Sequence, residues 1–155
     1  EDKGFTYGAR TAFEFRNLPG PFVLQAGVDS PSTARAIEES LKEINEIRGS
    51  RPITPEERTL GVAALTRGYA RNFETAEQVG RAMMQLALFD LPDDYFAQFV
   101  PRIESVTSET ASAVMARHLT LSRMTTLVVG DVDTIGRDLA SLGLGDPVIL
   151  PPEAF

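Results

Sequence analysis

Residues 5–28 read FTYGARTAFEFRNLPGPFVLQAGV, and their period of two decides the fold class. Phe5, Tyr7, Ala9, Thr11, Phe13 and Phe15 alternate with Thr6, Gly8, Arg10, Ala12, Glu14 and Arg16, so residues 5–16 predict a long strand with one apolar face. Asn17-Leu18-Pro19-Gly20 is turn chemistry, since Pro presets φ and Gly accepts conformations closed to other residues. Phe22, Leu24, Ala26 and Val28 alternate in a second strand, and the short connection makes the pair an antiparallel hairpin. The opening EDKGFTYGA enters a strand with a charged lead-in and without Met, leader or helix cap; it predicts a larger protein cut at this point.

Beyond the hairpin the hydrophobic period lengthens to that of a helix. Ser30 followed by Pro31 predicts a cap and a first helical position, and Ala34, Ile37, Leu41, Ile44 and Ile47 mark one stripe that stops at Gly49. Glu38, Glu39, Lys42 and Glu43 form its solvated face. Thr54-Pro55-Glu56-Glu57 is a capping box opening a helix through about Tyr69. Thr75 with Gln78 opens another, with Val79, Ala82, Met83 and Leu86 inward. Leu91-Pro92-Asp93-Asp94 predicts a short helix carrying Tyr95, Phe96 and Phe99, weakened by Pro101, which lacks an N–H donor. Thr107 caps a helix with Ala111, Val114, Met115 and Leu119 along one side. Met124 to Val129 predict a buried strand, Asp133 a cap for a final helix through Leu142 closed by Gly143, and Val148 to Leu150 an edge strand before a Pro-Pro tail. A leading hairpin followed by consecutive helices predicts a two-layer α+β fold, an antiparallel sheet with packed helices, rather than a doubly wound parallel sheet. No repeat or low-complexity tract interrupts it.

Composition narrows the function. A chain of 155 residues that is 43% hydrophobic can bury one substantial core, which predicts one domain. With no Cys, disulfides, thiolate zinc sites, a Cys nucleophile and iron–sulfur ligation are excluded. A net charge of -7 without a Lys/Arg cluster disfavours nucleic acid, and no apolar run approaches the roughly 20 residues of a membrane span.

Few residues could perform chemistry unaided. His118 is the single imidazole, too few for a catalytic zinc site of three protein ligands, and near a helix end it suits the negative end of the dipole. No H-x-x-E-H and no G-x-S-x-G occurs. Asp93-Asp94 and Glu56-Glu57 are acidic pairs at predicted helix starts; adjacent carboxylates on a helix diverge by about 100°, which suits dipole stabilisation better than acid–base work. Gly130-Asp131 reads as a strand-to-helix turn, Met83 and Met84 as gap-filling core or interface, and Lys3-Gly4 as unspecific. Tyr7 reads from the alternation as a half-buried strand aromatic like Phe5 and Phe13.

Six blocks, EDKGFTYGARTAFEF, GPFVLQAGVDSPSTARAIEESLKEI, RPITPEERTLGVAAL, NFETAEQVGRAMMQL, LPDDYFAQFVPRIESVTSETASAVMARHL and TLVVGDVDTIGRDLASLGLGDPV, cover nearly the whole chain. In order and spacing they resemble the inactive-side, C-terminal-type domain of the peptidase M16 family, the insulinase, pitrilysin and mitochondrial-processing-peptidase group, in its short bacterial-type branch. The family's motif of Arg, a charged stretch, Gly and an aromatic-Thr-Tyr-Gly strand would place its Arg one residue before Glu1. The resemblance implies the metallohydrolase-like half-fold of that family, truncated at its N-terminus, within a clamshell of two homologous halves around a chamber.

It further implies that the other half binds zinc through H-x-x-E-H and a downstream Glu. This half would hold peptide substrate and close the chamber, with Tyr7 as its substrate-binding residue and no catalytic or metal residue of its own. The partners implied are a catalytic half, in cis or in trans, the missing upstream segment, whose strands would pair with strand 5–16, and a peptide; the bacterial periplasm or envelope is the implied location. Two alternatives stand beside it: a non-catalytic structural or partner subunit of the same family, and a free-standing binding module.

Overall fold

The computed structural model describes residues 4–151; the Glu1–Lys3 lead-in and Pro152 of the Pro-Pro tail lie outside the described residues. Strands β1 (Thr6–Phe13) and β2 (Phe22–Val28) form a two-stranded antiparallel sheet. Helices α1 (Thr33–Ile47), α2 (Pro55–Thr66), α3 (Ala76–Leu88), α4 (Phe99–Ser105), α5 (Ser108–His118) and α6 (Val132–Ala140) complete a mixed, α+β set of elements among the described residues.

The hairpin stops short of the predicted span 5–16. Its last rung is the Glu14 N–H donating to the Pro21 carbonyl at 3.1 Å, next to the Phe13 and Phe22 rings, whose centroids lie 5.0 Å apart. Residue 20 has to be glycine, because a Cβ there would overlap the Glu14 carbonyl oxygen. The period of two is present, but the apolar face it predicts is uncovered: Phe13 is 64% and Phe15 68% exposed.

Helix starts follow their local signals. Thr54 with Glu57 and Thr75 with Gln78 form reciprocal capping boxes, and Thr107 forms one with Thr110. The stripe Ala34, Ile37, Leu41, Ile44 and Ile47 is buried or half-buried throughout. Other boundaries need correction. The first helix is preceded by a 3₁₀ turn, Ser30–Ser32, with Asp29 rather than Ser30 at its N-cap position and no side-chain capping bond. The final helix is capped by Asp131, not Asp133, and ends at Ala140, short of Leu142. Helix α2 ends at Thr66 because Gly68, at φ 82°, reverses the chain into a 3₁₀ turn, Tyr69–Phe73. Helix α3 closes with the Leu91 N–H on the Leu86 carbonyl at 2.9 Å and Asp90 left-handed at φ 49°, a glycine role filled by Asp.

Residues 93–98 form turns instead of the predicted aromatic helix, and α4 starts only at Phe99. Pro101 sits in the first turn of α4, where its missing N–H would have had no helical partner, so it does not weaken the helix. Val79 and Met83, expected inward on α3, are 39% and 65% exposed; Val114 of α5 is 53% exposed. Residues 124–129 and 148–150, expected as strands, pair with nothing among the described residues, since a strand needs a neighbour to hydrogen-bond.

The chain divides into two compact units, Glu1–Ala12 with Val23–Ile44 and Leu121–Phe155, and Phe13–Phe22 with Asn45–Thr120. In the first, Ile44 and Ile135 are buried, and α6 packs against the 3₁₀ turn Ser30–Ser32. In the second, Arg58 of α2 latches α4: its Nε donates to the Val106 carbonyl at 2.8 Å and its Nη2 to the Glu104 carbonyl. The Ile53 N–H donates to Ser112 Oγ at 3.0 Å, and Leu119 is buried.

Surface is in excess over that of compact bodies. Two separate compact bodies of half the chain's mass would together expose about 9,300 Å². The chain exposes 12193 Å².

Candidate functional site

Tyr7 is the second residue of β1, and its side chain is 105% exposed, as open as in an extended peptide. In this chain by itself it is therefore not half-buried, contrary to the alternation. Among the described residues its hydroxyl has no hydrogen-bond partner, so it is a donor turned to solvent. The backbone beside it is pinned by Thr6, whose Oγ1 lies 2.6 Å from the Gly27 carbonyl of β2 and 2.9 Å from the Gly8 carbonyl, and accepts the Gly8 N–H at 3.1 Å. A Cβ at Gly8 would meet nothing within 4 Å, leaving an open approach to the strand. The neighbouring aromatic, Phe5, is half-buried under the Arg35 guanidinium, 4.8 Å from its ring centroid. The arrangement can offer one phenolic donor and an exposed strand backbone to an extended ligand.

No base is brought to this donor, and the other residues singled out in the sequence stand in structural roles. His118 is the last residue of α5, exposed, beside Arg117 in the final turn where cations suit the helix dipole. Glu57 accepts the Thr54 N–H at 2.9 Å and an Arg51 nitrogen at 2.8 Å; the backbone bond first and Arg51 second hold its carboxyl below the ordinary range. Glu56 shares the first turn of α2. Asp94 supplies a carbonyl to the Gln98 N–H within the turns that replace the predicted helix, so Asp93-Asp94 is not a helix start. Asp131 accepts the Thr134 hydroxyl at 2.8 Å and the Asp133 N–H at 3.0 Å, which lowers its pKa in that order of importance and makes Gly130-Asp131 the turn into α6. Met83 and Met84 are both 65% exposed, not gap-filling core. Among the described residues no three His, Cys, Asp or Glu side chains come together as a metal site.

One cluster escaped the sequence reading. Tyr69 stacks on Phe99 with centroids 4.4 Å apart and planes 9° apart, Phe73 sits edge-on to Tyr69 and to Phe96, and Tyr95 is edge-on to Phe96. Burial, with Tyr95 adding a smaller effect, pushes the Tyr69 phenol above its ordinary range. Tyr69 and Phe73 at a spacing of four, matched by Tyr95 and Phe99, were the available signal. The rings are a small, half-buried aromatic cluster.

Compared with known proteins, the chain matches no family model and no curated sequence.

Proposed function

We propose that this chain is the substrate-holding, chamber-closing half of a zinc-dependent, M16-type metalloendopeptidase, and that Tyr7 is its contact with peptide. The observation that carries the reading is Tyr7 itself, a fully exposed tyrosine with a hydroxyl that bonds to no described residue. An aromatic held on a strand at such exposure contributes nothing to the chain's own packing, and its free donor suits the carbonyl oxygen of a bound peptide. The excess of exposed surface supports a large partner surface, in the range of obligate assemblies.

This chain's residues do not fit a zinc site: it has one His and no Cys, and no cluster of three ligands forms among the described residues. The metal of the proposed enzyme is therefore assigned to residues outside this chain, and what Tyr7 does is bind and orient substrate. The same surface excess also favours the second reading, a non-catalytic partner subunit. The two are separated by purifying the chain from its source without denaturant and sequencing everything attached to it. A polypeptide bearing H-x-x-E-H, in cis or in trans, with chelator-sensitive peptidase activity is the expected result; a stable assembly with no such motif overturns the enzymatic reading.

A further inference from the structure

Tyr7 is fully exposed, so no packing against its ring decides where the phenol points. Its direction has to come from the backbone that carries it. That backbone runs straight into Gly8, which has no Cβ to restrict it and open space where one would stand. Left alone, such a joint would let the ring wander, and a donor that wanders contributes little to a reaction that needs it in one place.

Thr6 removes that freedom. Its Oγ1 lies 2.6 Å from the Gly27 carbonyl oxygen of β2 and 2.9 Å from that of Gly8, and it accepts the Gly8 N–H at 3.1 Å. A hydroxyl has one proton and two lone pairs, so it takes the Gly8 N–H while its proton serves one of the two carbonyls. One oxygen thereby bridges residue 7 from the residue before it to both polar groups of the residue after it, and ties the bridge to the neighbouring strand. Thr6 is also β-branched, which restricts the rotamers from which that oxygen can act.

We propose that Thr6 is a positioning residue: its hydroxyl clasp fixes the backbone at residue 7 and so aims the Tyr7 phenol at the substrate. Successive strand side chains point to opposite faces, so Thr6 works from the face away from Tyr7 and meets no substrate itself. The inference rests on the reading of Tyr7 as the peptide contact.

A double-mutant cycle in the assembled enzyme, read with internally quenched peptides well below each variant's melting midpoint, tests it. Thr6→Ala removes the hydroxyl and should lower kcat by about 10-fold or more, within the roughly 10²-fold that misplacement by about 1 Å costs, with KM nearly unchanged. Thr6→Ser keeps the oxygen and should recover most of that rate. In a Tyr7→Phe background Thr6→Ala should cost little more, because the group it aims is gone. Unchanged kcat/KM in Tyr7→Phe overturns the peptide reading of Tyr7 and this inference with it. A loss in Tyr7→Phe with no loss in Thr6→Ala, with the same Thr6→Ala factor in both backgrounds, or without recovery by Thr6→Ser overturns the positioning role alone. Should Thr6→Ala fail to assemble, Thr6→Val, which keeps the β-branched shape, enters the same cycle; failure of both makes Thr6 a folding residue and overturns the proposal too.

Discussion

Tyr7→Phe removes a single oxygen, and the structure sets what that oxygen can be worth to folding. The side chain is 105% exposed and its hydroxyl meets no described residue, so the change strips neither buried surface nor a protein hydrogen bond. Exposed substitutions of this kind stay within about 0.5 kcal/mol, which for a domain of this size shifts the melting midpoint by no more than about 2 °C. Catalysis is a separate quantity. A donor aimed at the oxygen on which charge develops contributes about 10²–10³-fold in rate, so the assembled enzyme should lose up to that factor in kcat/KM against a peptide substrate. The measurement pairs a melting curve with steady-state kinetics on the same preparation. A hydroxyl that becomes buried and structural in the assembly would give the opposite pattern, with stability reduced by about 1 kcal/mol and the rate retained. Unchanged kcat/KM refutes the assignment of Tyr7 to the substrate.

Arg58→Ala strands the Glu104 and Val106 carbonyls at the end of α4 and should destabilise the helical unit by about 1–3 kcal/mol, whereas Arg58→Lys, a point charge without the fork, should recover only part of it; denaturant melts decide. Glu57 has a folded pKa below its ordinary 4.5, so its contribution is fully present above that value and is lost as pH falls through the folded one. Measured in the assembled protein, the difference in melting temperature between the natural chain and Glu57→Gln, which keeps the N-terminal box, should therefore be visible near neutrality and vanish in acid; a difference that persists at low pH contradicts the linkage.

What was legible in the sequence was local. Thr54, Thr75 and Thr107 were readable because a capping box lies within four residues and is closed by the chain itself. The hairpin was readable because Pro19 and Gly20 make the turn and period two makes the strands. What failed was whatever needed a partner. MTTLVV has a strand's composition, but composition supplies no neighbour, and the same holds for Val148 to Leu150. Val79 and Met83 lie on the helical spacing of a core face yet face outward, because inward is defined by what packs there. Pro101 misled through its position: the residue that breaks a helix interior is harmless in a first turn. Tyr7 was identifiable as a candidate, but its full exposure was not, since alternation alone groups it with Phe5 and Phe13.

The three Thr-led boxes have a consequence for how the chain comes apart. Each fixes a helix start through bonds spanning three residues, at a cost in chain entropy that does not depend on distant contacts. The long-range apolar cement is sparse by comparison, with Ile44, Leu119 and Ile135 the buried hydrophobic residues among those described. Helical content and cooperativity are thereby uncoupled. The chain by itself should hold its far-ultraviolet dichroism over a broad temperature range while lacking a sharp heat-absorption peak, and a surface that covers it should restore a single transition without adding helix.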